Sequence, residues 1–211
     1  MRAVIFANGA LNHHPNLAAE DLVIAADGGG RHCLALGVQP AIVIGDLDSL
    51  NPDEQALLRA GGAEIRRYPE RKDFTDLELA LLAAREAGAG EILILGALGL
   101  RWDQTLANLL LAASQPGVRV RLEDGSQEFH FIKAGEPLEL AGQPGDVVSL
   151  VPLAGPAAEI TTGELEYPLK DECLEFGSSR GVSNRMLGER ATITIGSGLL
   201  ACVHTRQAAR P

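Results

Sequence analysis

The chain reads as an α/β protein, a parallel sheet with helices on both faces, followed by a smaller all-β sandwich. Three observations predict this. Short apolar runs bounded by Gly or Asp alternate with helical patterns through the first 125 residues, the texture of buried parallel strands with covering helices. From Ser126 onward the runs are short and broken by Gly and Pro, which suits an antiparallel sandwich or roll. The 211 residues, 46% of them hydrophobic and 22% charged, suffice for one large or two small domains and exclude wholesale disorder. The expected division is a Rossmann-like α/β domain over 1–125 and a β-sandwich over 126–211.

In chain order, Ala3 to Ala7, Leu22 to Ala26, Ala41 to Ile44 and Ile92 to Leu95 are the apolar strand candidates, with Ala63 to Arg67 and Val118 to Leu122 as less apolar ones. A helix is expected over Arg31 to Leu36. Asn51-Pro52-Asp53-Glu54 offers an N-cap with Pro at the first helical position, leading into Gln55 to Ala60. Asp73 to Ala87 carries Leu77, Leu81 and Ala84 at helical spacing, with Gly88 as a stop. Leu109-Leu110-Leu111 reads as core helix. The second half offers strands at Phe129 to Lys133, Pro137 to Leu140, Val147 to Pro152, Ala158 to Thr161, Ala191 to Ile195 and Leu199 to His204. Gln143 to Asp146 and Gly196 to Gly198 read as turns, and Gln207 to Pro211 as a frayed end. Aromatics are only 4%, so an aliphatic core is expected.

A formal net charge of -10 lacks the basic footprint that a phosphate-backbone binder needs, so no nucleic-acid partner is expected. No apolar run approaches the roughly 20 residues of a spanning helix, and Met1 to Ala7 is too short an apolar start for a signal peptide. No membrane association and a cytoplasmic location follow as expectations. Cys33, Cys173 and Cys202 are odd in number and lack CxxC spacing, against a disulfide framework or thiolate metal site. His13 and His14 are adjacent and without a spaced partner, which suits a solvated loop better than a metal ligand pair.

Four acidic motifs each fall just after an expected strand, where ligands bind in open α/β sheets. Asp27-Gly28-Gly29-Gly30 lets backbone N–H groups approach a phosphate at a helix start, or forms a tight turn. Asp46 and Asp48 flank Leu47, so extended backbone would aim both carboxylates the same way; capping of the next helix by Asp48 or Ser49 is the alternative. Lys72-Asp73-Phe74-Thr75-Asp76 opens the long helix, with Asp73 and Asp76 at i and i+3, also usable as caps. Gly96 to Gln104 supplies Arg101, able to fork onto phosphate oxygens, and Asp103, able to cap or to ligate through oxygen. Six carboxylates along one rim call for a cation, because two charges about 4 Å apart cost on the order of 4 kcal/mol at an effective dielectric near 20. Oxygen-only ligands favour Mg²⁺, which arrives with polyphosphate, and Lys72 and Arg101 are placed to hold its oxygens.

Together, in this order, the motifs resemble those of thiamine pyrophosphokinases. The resemblance continues through Glu78, Asn108, Ser149 to Leu153, Gly163 to Leu169 and Gly181-Val182-Ser183-Asn184, covering nearly the whole chain. It implies transfer of the pyrophosphoryl group of ATP to the hydroxyl of thiamine, giving thiamine diphosphate and AMP. It further implies an α/β catalytic domain binding ATP and Mg²⁺, a thiamine-binding and dimerisation domain, and a homodimer with active sites between subunits. Carried onto this sequence, the catalytic residues are Asp73, Lys72, Arg101 and Asp48, and the metal ligands Asp46, Asp48, Asp73 and Asp76. ATP falls to Asp27, Gly28, Gly29, Gly96, Gly99, Arg101 and Asp103, and thiamine to Thr75, Ser183 and Asn184. A Ser-Asn pair before Arg185 is by itself an ordinary turn. Gln104 stands where His is common, and no aromatic follows Asn184 to stack on the pyrimidine; Trp102, Phe74 and Phe176 are the candidates. Two other readings stay open: a pyrophosphokinase for a pterin alcohol, and a non-catalytic nucleotide or thiamine sensor. Ser183-Asn184 and the β-rich second half argue for thiamine, and Lys72 with Arg101 for turnover.

Overall fold

A computed structural model describes residues 1–207; the expected frayed end lies, beyond Gln207, outside the described residues. The chain divides into two compact units, Met1–Gly125 and a second that begins at Ser126.

The first unit holds β1 (Arg2–Phe6), β2 (Leu22–Ala26), α1 (Gly29–Leu36), β3 (Ile42–Gly45), α2 (Pro52–Ala60), β4 (Glu64–Arg67), α3 (Asp76–Glu86), β5 (Glu91–Leu95), α4 (Trp102–Ala113) and β6 (Arg119–Asp124). Its six strands are parallel in the order β6-β5-β1-β2-β3-β4. Past their first residues, Arg2 and Glu91, the central strands are apolar: Ala3 to Phe6 and Ile92 to Leu95 are all fully buried, as strands covered on both faces require. β1 is the switch point, with β2 on one side and β5 on the other. Loops leaving neighbouring strands there part in opposite directions, opening a crevice at the carboxyl ends.

Helix boundaries follow local chemistry. Asn51 accepts from Glu54 N while Glu54 returns to Asn51 N, a capping box with Pro52 at the start of α2. The long helix begins at Asp76 instead of Asp73, because Thr75, in extended backbone, accepts from Glu78 N and caps it. Arg101 holds the N-cap position of α4 without a side-chain cap bond, and the Asp103 carboxylate in the first turn pairs with that guanidinium. Leu110, expected in the core, is exposed, since α4 turns Asn108, Ala112 and Ala113 inward. His13 is partnered, with Nε2 3.0 Å from Glu123 Oε1 and Nδ1 accepting from Gly125 N.

The second unit is antiparallel throughout. β7 (Gln127–Lys133), β14 (Leu199–Thr205), β9 (Val147–Pro152) and β12 (Asn184–Arg185) pair in that order, and β8 (Leu138–Ala141), β13 (Arg190–Thr194), β10 (Ala157–Gly163) and β11 (Glu172–Leu174) form a second sheet. Burial alternates along β9 and β13, so each sheet presents one apolar face. Ile132, Val148, Leu150, Ile160, Ile193 and Leu200 share one core cluster drawn from both sheets. β11 and β12, of three and two residues, are too short to show a period in the sequence.

Candidate active site

The crevice at the switch point is a pocket of about 440 Å³ built from the loops after β1, β2, β4 and β5. Of the residues singled out in the sequence, Asp27, Lys72, Thr75, Asp76, Gly96, Gly99, Arg101 and Gln104 line it. Asn8 and Gly9 line it too and were missed; a loop Asn-Gly pair carries no signal until the topology places it beside β2. Asn108 lines the wall and donates to Ala97 O at 2.7 Å, fixing the turn after β5.

Three carboxylates converge beside the pocket. Asp27, Asp46 and Asp76 each offer an oxygen within 4.8 Å of the others. Lys72 Nζ lies 3.3 Å from Asp46 Oδ2 and 3.0 Å from Asp76 Oδ1. The Lys72–Asp76 contact is an i,i+4 ion pair, and Asp27 Oδ1 is buried without a hydrogen-bond partner. Asp76 is pushed above the ordinary carboxylate range, by burial first and by Asp46 and Asp27, against the pull of Lys72. Asp46 goes the other way: burial is its largest single influence and raises it, but the Asp48 N–H and Lys72 together outweigh that. Lys72 itself is raised, since the pull of Asp76 and Asp46 exceeds its desolvation.

The backbone is bent to make this grouping. Asp27 has φ 45° and Leu47 φ 64°, both left-handed, and Leu47 is buried; such conformations are uncommon for Asp and a real departure for Leu. The turn at Leu47 overturns the expectation of extended backbone there. Asp46 Oδ1 instead accepts from Asp48 N at 3.2 Å, and Asp48 is exposed, bonded by Ser49 Oγ. Gly45, at φ 145°, is flanked closely: a Cβ there would stand 2.9 Å from Asp76 Oδ1 and 3.2 Å from Asp27 Cβ. A side chain at Gly29 would overlap Phe6 O, so α1 starts hard against the end of β1.

The remaining sequence candidates fall outside the group. Asp73 and Phe74 are exposed in the segment before α3. Arg101 and Asp103 form a fork at 3.1 and 2.5 Å, both largely exposed. Ser183 and Asn184 belong to the second unit, where Ser183 (φ 65°) donates from its N to Ser149 Oγ at 3.0 Å. The Asn184 amide embraces the Tyr167 backbone, accepting from its N at 3.0 Å and donating to its O at 2.7 Å.

Three carboxylates against one ammonium leave two negative charges, the charge of one divalent cation. The all-oxygen donors and the unpartnered Asp27 oxygen fit a hard cation such as Mg²⁺. Arg101 and the glycine turns at 28–29 and 96–99 are the kind of donors that hold phosphate oxygens.

Comparison with known proteins gives this arrangement its context. Residues 14–122 match the family model described as thiamin pyrophosphokinase, catalytic domain, and residues 136–200 the one described as thiamin pyrophosphokinase, vitamin B1 binding domain. The chain is 28% identical over 207 residues to the thiamine pyrophosphokinase of Bacillus subtilis (strain 168), covering 95% of this chain and 97% of that protein. It is 27% identical over 185 residues to thiamine pyrophosphokinase 1 of Oryza sativa subsp. japonica, covering 80% and 67% respectively. The crystal structure of the Bacillus subtilis thiamine pyrophosphokinase superposes with a TM-score of 0.88 at 26% identity, over 99% of this chain and 100% of that one.

Proposed function

The chain belongs to the thiamin pyrophosphokinase family and is an enzyme of that kind, and from that premise we propose how its residues divide the work. The thiamine hydroxyl attacks the β-phosphorus of ATP in line; the new O–P bond forms as the bond to the AMP oxygen breaks. The observation that carries this reading is the Asp27, Asp46 and Asp76 cluster with Lys72, of which Asp27, Asp76 and Lys72 line the switch-point crevice.

Asp27, Asp46 and Asp76 would hold Mg²⁺, which supplies charge neutralisation on the phosphate oxygens when bound. Asp27, which the resemblance assigns to ATP, is in this reading a metal ligand beside Asp46 and Asp76. Lys72 and Arg101 hold the transferring group, Arg101 exchanging its fork on Asp103 for phosphate oxygens. Gly28, Gly29, Gly96 and Gly99 bring backbone N–H groups to the polyphosphate. Asp73 and Asp48, which the resemblance also offers as metal ligands, are exposed and outside the three-carboxylate group, and in this reading they are the candidates to accept the hydroxyl proton. Thr75, Ser183 and Asn184 are assigned to thiamine, with Thr75 also committed to capping α3.

We read the first unit as a Rossmann-like catalytic domain and the second as a β-sandwich that binds thiamine and joins two copies into a homodimer with active sites between subunits. Three free cysteines support a cytoplasmic enzyme, and no helix among the described residues is long and apolar enough to cross a membrane. The match to a vitamin B1 binding domain favours thiamine over a pterin alcohol. The test is incubation with ATP, Mg²⁺ and thiamine, followed by mass spectrometry. AMP and thiamine diphosphate in equal amounts are expected; ADP as the nucleotide product, or binding without turnover, would overturn the reading.

A further inference from the structure

One buried hydrogen-bonded pair in the second unit has no part in the chemistry described above. Asp146 is 1% exposed and His204 0%, and His204 Nε2 lies 3.0 Å from Asp146 Oδ2. The same oxygen accepts from Gln143 N at 3.0 Å, and Oδ1 accepts from Gln207 N at 2.8 Å. Burial pushes the Asp146 carboxyl up, but these three donors together hold it below the ordinary range. A carboxylate buried and paired this way is costly to make and strongly destabilising to break, a poor investment for stability alone.

The backbone of the same turn carries the segment containing Ser183 and Asn184. Met186 N donates to Asp146 O and Gly145 N to Met186 O, each at 2.9 Å. Asn184 and Arg185 pair with Val148 and Val147, the first residues of β9. A strand of two residues has almost no ladder of its own, so its place depends on what flanks it: Ser149 Oγ on Ser183, the Tyr167 backbone on Asn184, and the 143–146 turn on the Met186 side. The pair packs directly against the backbone that enters the turn: a Cβ at Gly142 would meet Asp146 Oδ2 at 2.5 Å and His204 Nε2 at 3.0 Å.

We propose that Asp146 and His204 are positioning residues for substrate: by fixing the 143–146 turn they set where Ser183 and Asn184 present themselves. The proposal rests on the reading of those two residues as thiamine contacts. It makes a claim about one substrate only. Loosening the pair displaces the thiamine contacts and leaves the first unit's phosphate contacts as they are.

The test uses the full chain, with KM for thiamine and for ATP, kcat and melting temperature measured for each variant. His204→Leu removes the donor, and a displacement of the order of 1 Å is expected to raise the thiamine KM about tenfold or more, with ATP KM and kcat little changed. His204→Gln, whose amide nitrogen can reach the place of Nε2, is expected to restore the thiamine KM. Asp146→Asn, nearly isosteric, is the second variant should His204→Leu not fold. A folded variant with an unaltered thiamine KM overturns the proposal, as does a loss that falls equally on both substrates or only on kcat and melting temperature. Ser183→Ala separates the premise: if it leaves the thiamine KM unchanged, the assignment of the contacts has failed; if it raises that KM while the pair variants do not, the positioning role alone has failed.

Discussion

Asp27 combines three properties seldom found in one side chain: it is 6% exposed, its backbone is left-handed at φ 45°, and one carboxylate oxygen has no hydrogen-bond partner. Two more carboxylates share its neighbourhood. Asn tolerates the same backbone and occupies nearly the same volume, so Asp27→Asn isolates the charge. It is expected to lower turnover by about a hundredfold or more by weakening stabilisation of the transferring group. The melting temperature should hold or rise, because one of three crowded like charges is removed. Steady-state AMP release and a thermal melt check both. The sequence made the four acidic motifs and their place after strands legible, yet it could not show that Leu47 is left-handed. That single turn sends Asp48 to solvent and leaves Asp46 facing Asp27 and Asp76.

At the level of elements, helix starts were the most readable feature where the capping chemistry is local. The capping box of Asn51 and Glu54 with Pro52 lies within four consecutive residues, and Asn51→Ala is expected to destabilise the protein by about 1 kcal/mol. Urea unfolding measures it, with Asn51→Asp as the variant that retains the cap. The start of α3 was less legible because Asp73, Thr75 and Asp76 can each cap, and only the extended backbone at Thr75 decides among them. β12 was illegible for a different reason: two residues show no alternation, and its hydrogen bonds come from β9, far away in sequence. Buried pairs such as Asp146 and His204 belong to the same class, since nothing local links residues brought together by a sheet.

For the molecule as a whole, the excess of acid over base makes low pH the informative stress. Glu128, on β7, is held at about 2 against an ordinary 4.5, first by His130 and also by Arg206, despite burial. A depressed carboxylate contributes stability that is complete above its unfolded value and is lost as pH falls. The loss should therefore run from about pH 4.5 down through about 2. Glu128→Gln is expected to be less stable than the parent at neutral pH and to lose less on acidification over that window, as read by circular dichroism. The division of the chain into an alternating α/β half and a Gly- and Pro-punctuated β half was legible because the two periods differ; the order of strands was not, because it depends on pairings between distant segments.

The position of β1 between β2 and β5 has a kinetic consequence. β2 can reach β1 across a short connection, whereas β5 must return from beyond residue 90 to set Arg2 against Glu91 and Phe6 against Leu95. Closing the longer loop costs about 1.5 kcal/mol more in chain entropy, and such distant pairing is slow. The crevice needs both sides of β1, Ala26 and Asp27 from the β2 side and Gly96, Ala97 and Gly99 from the β5 side. During synthesis a ribosome will have released the first carboxylates of the site well before the far wall exists, so competence for ATP arrives late, with the docking of a single strand.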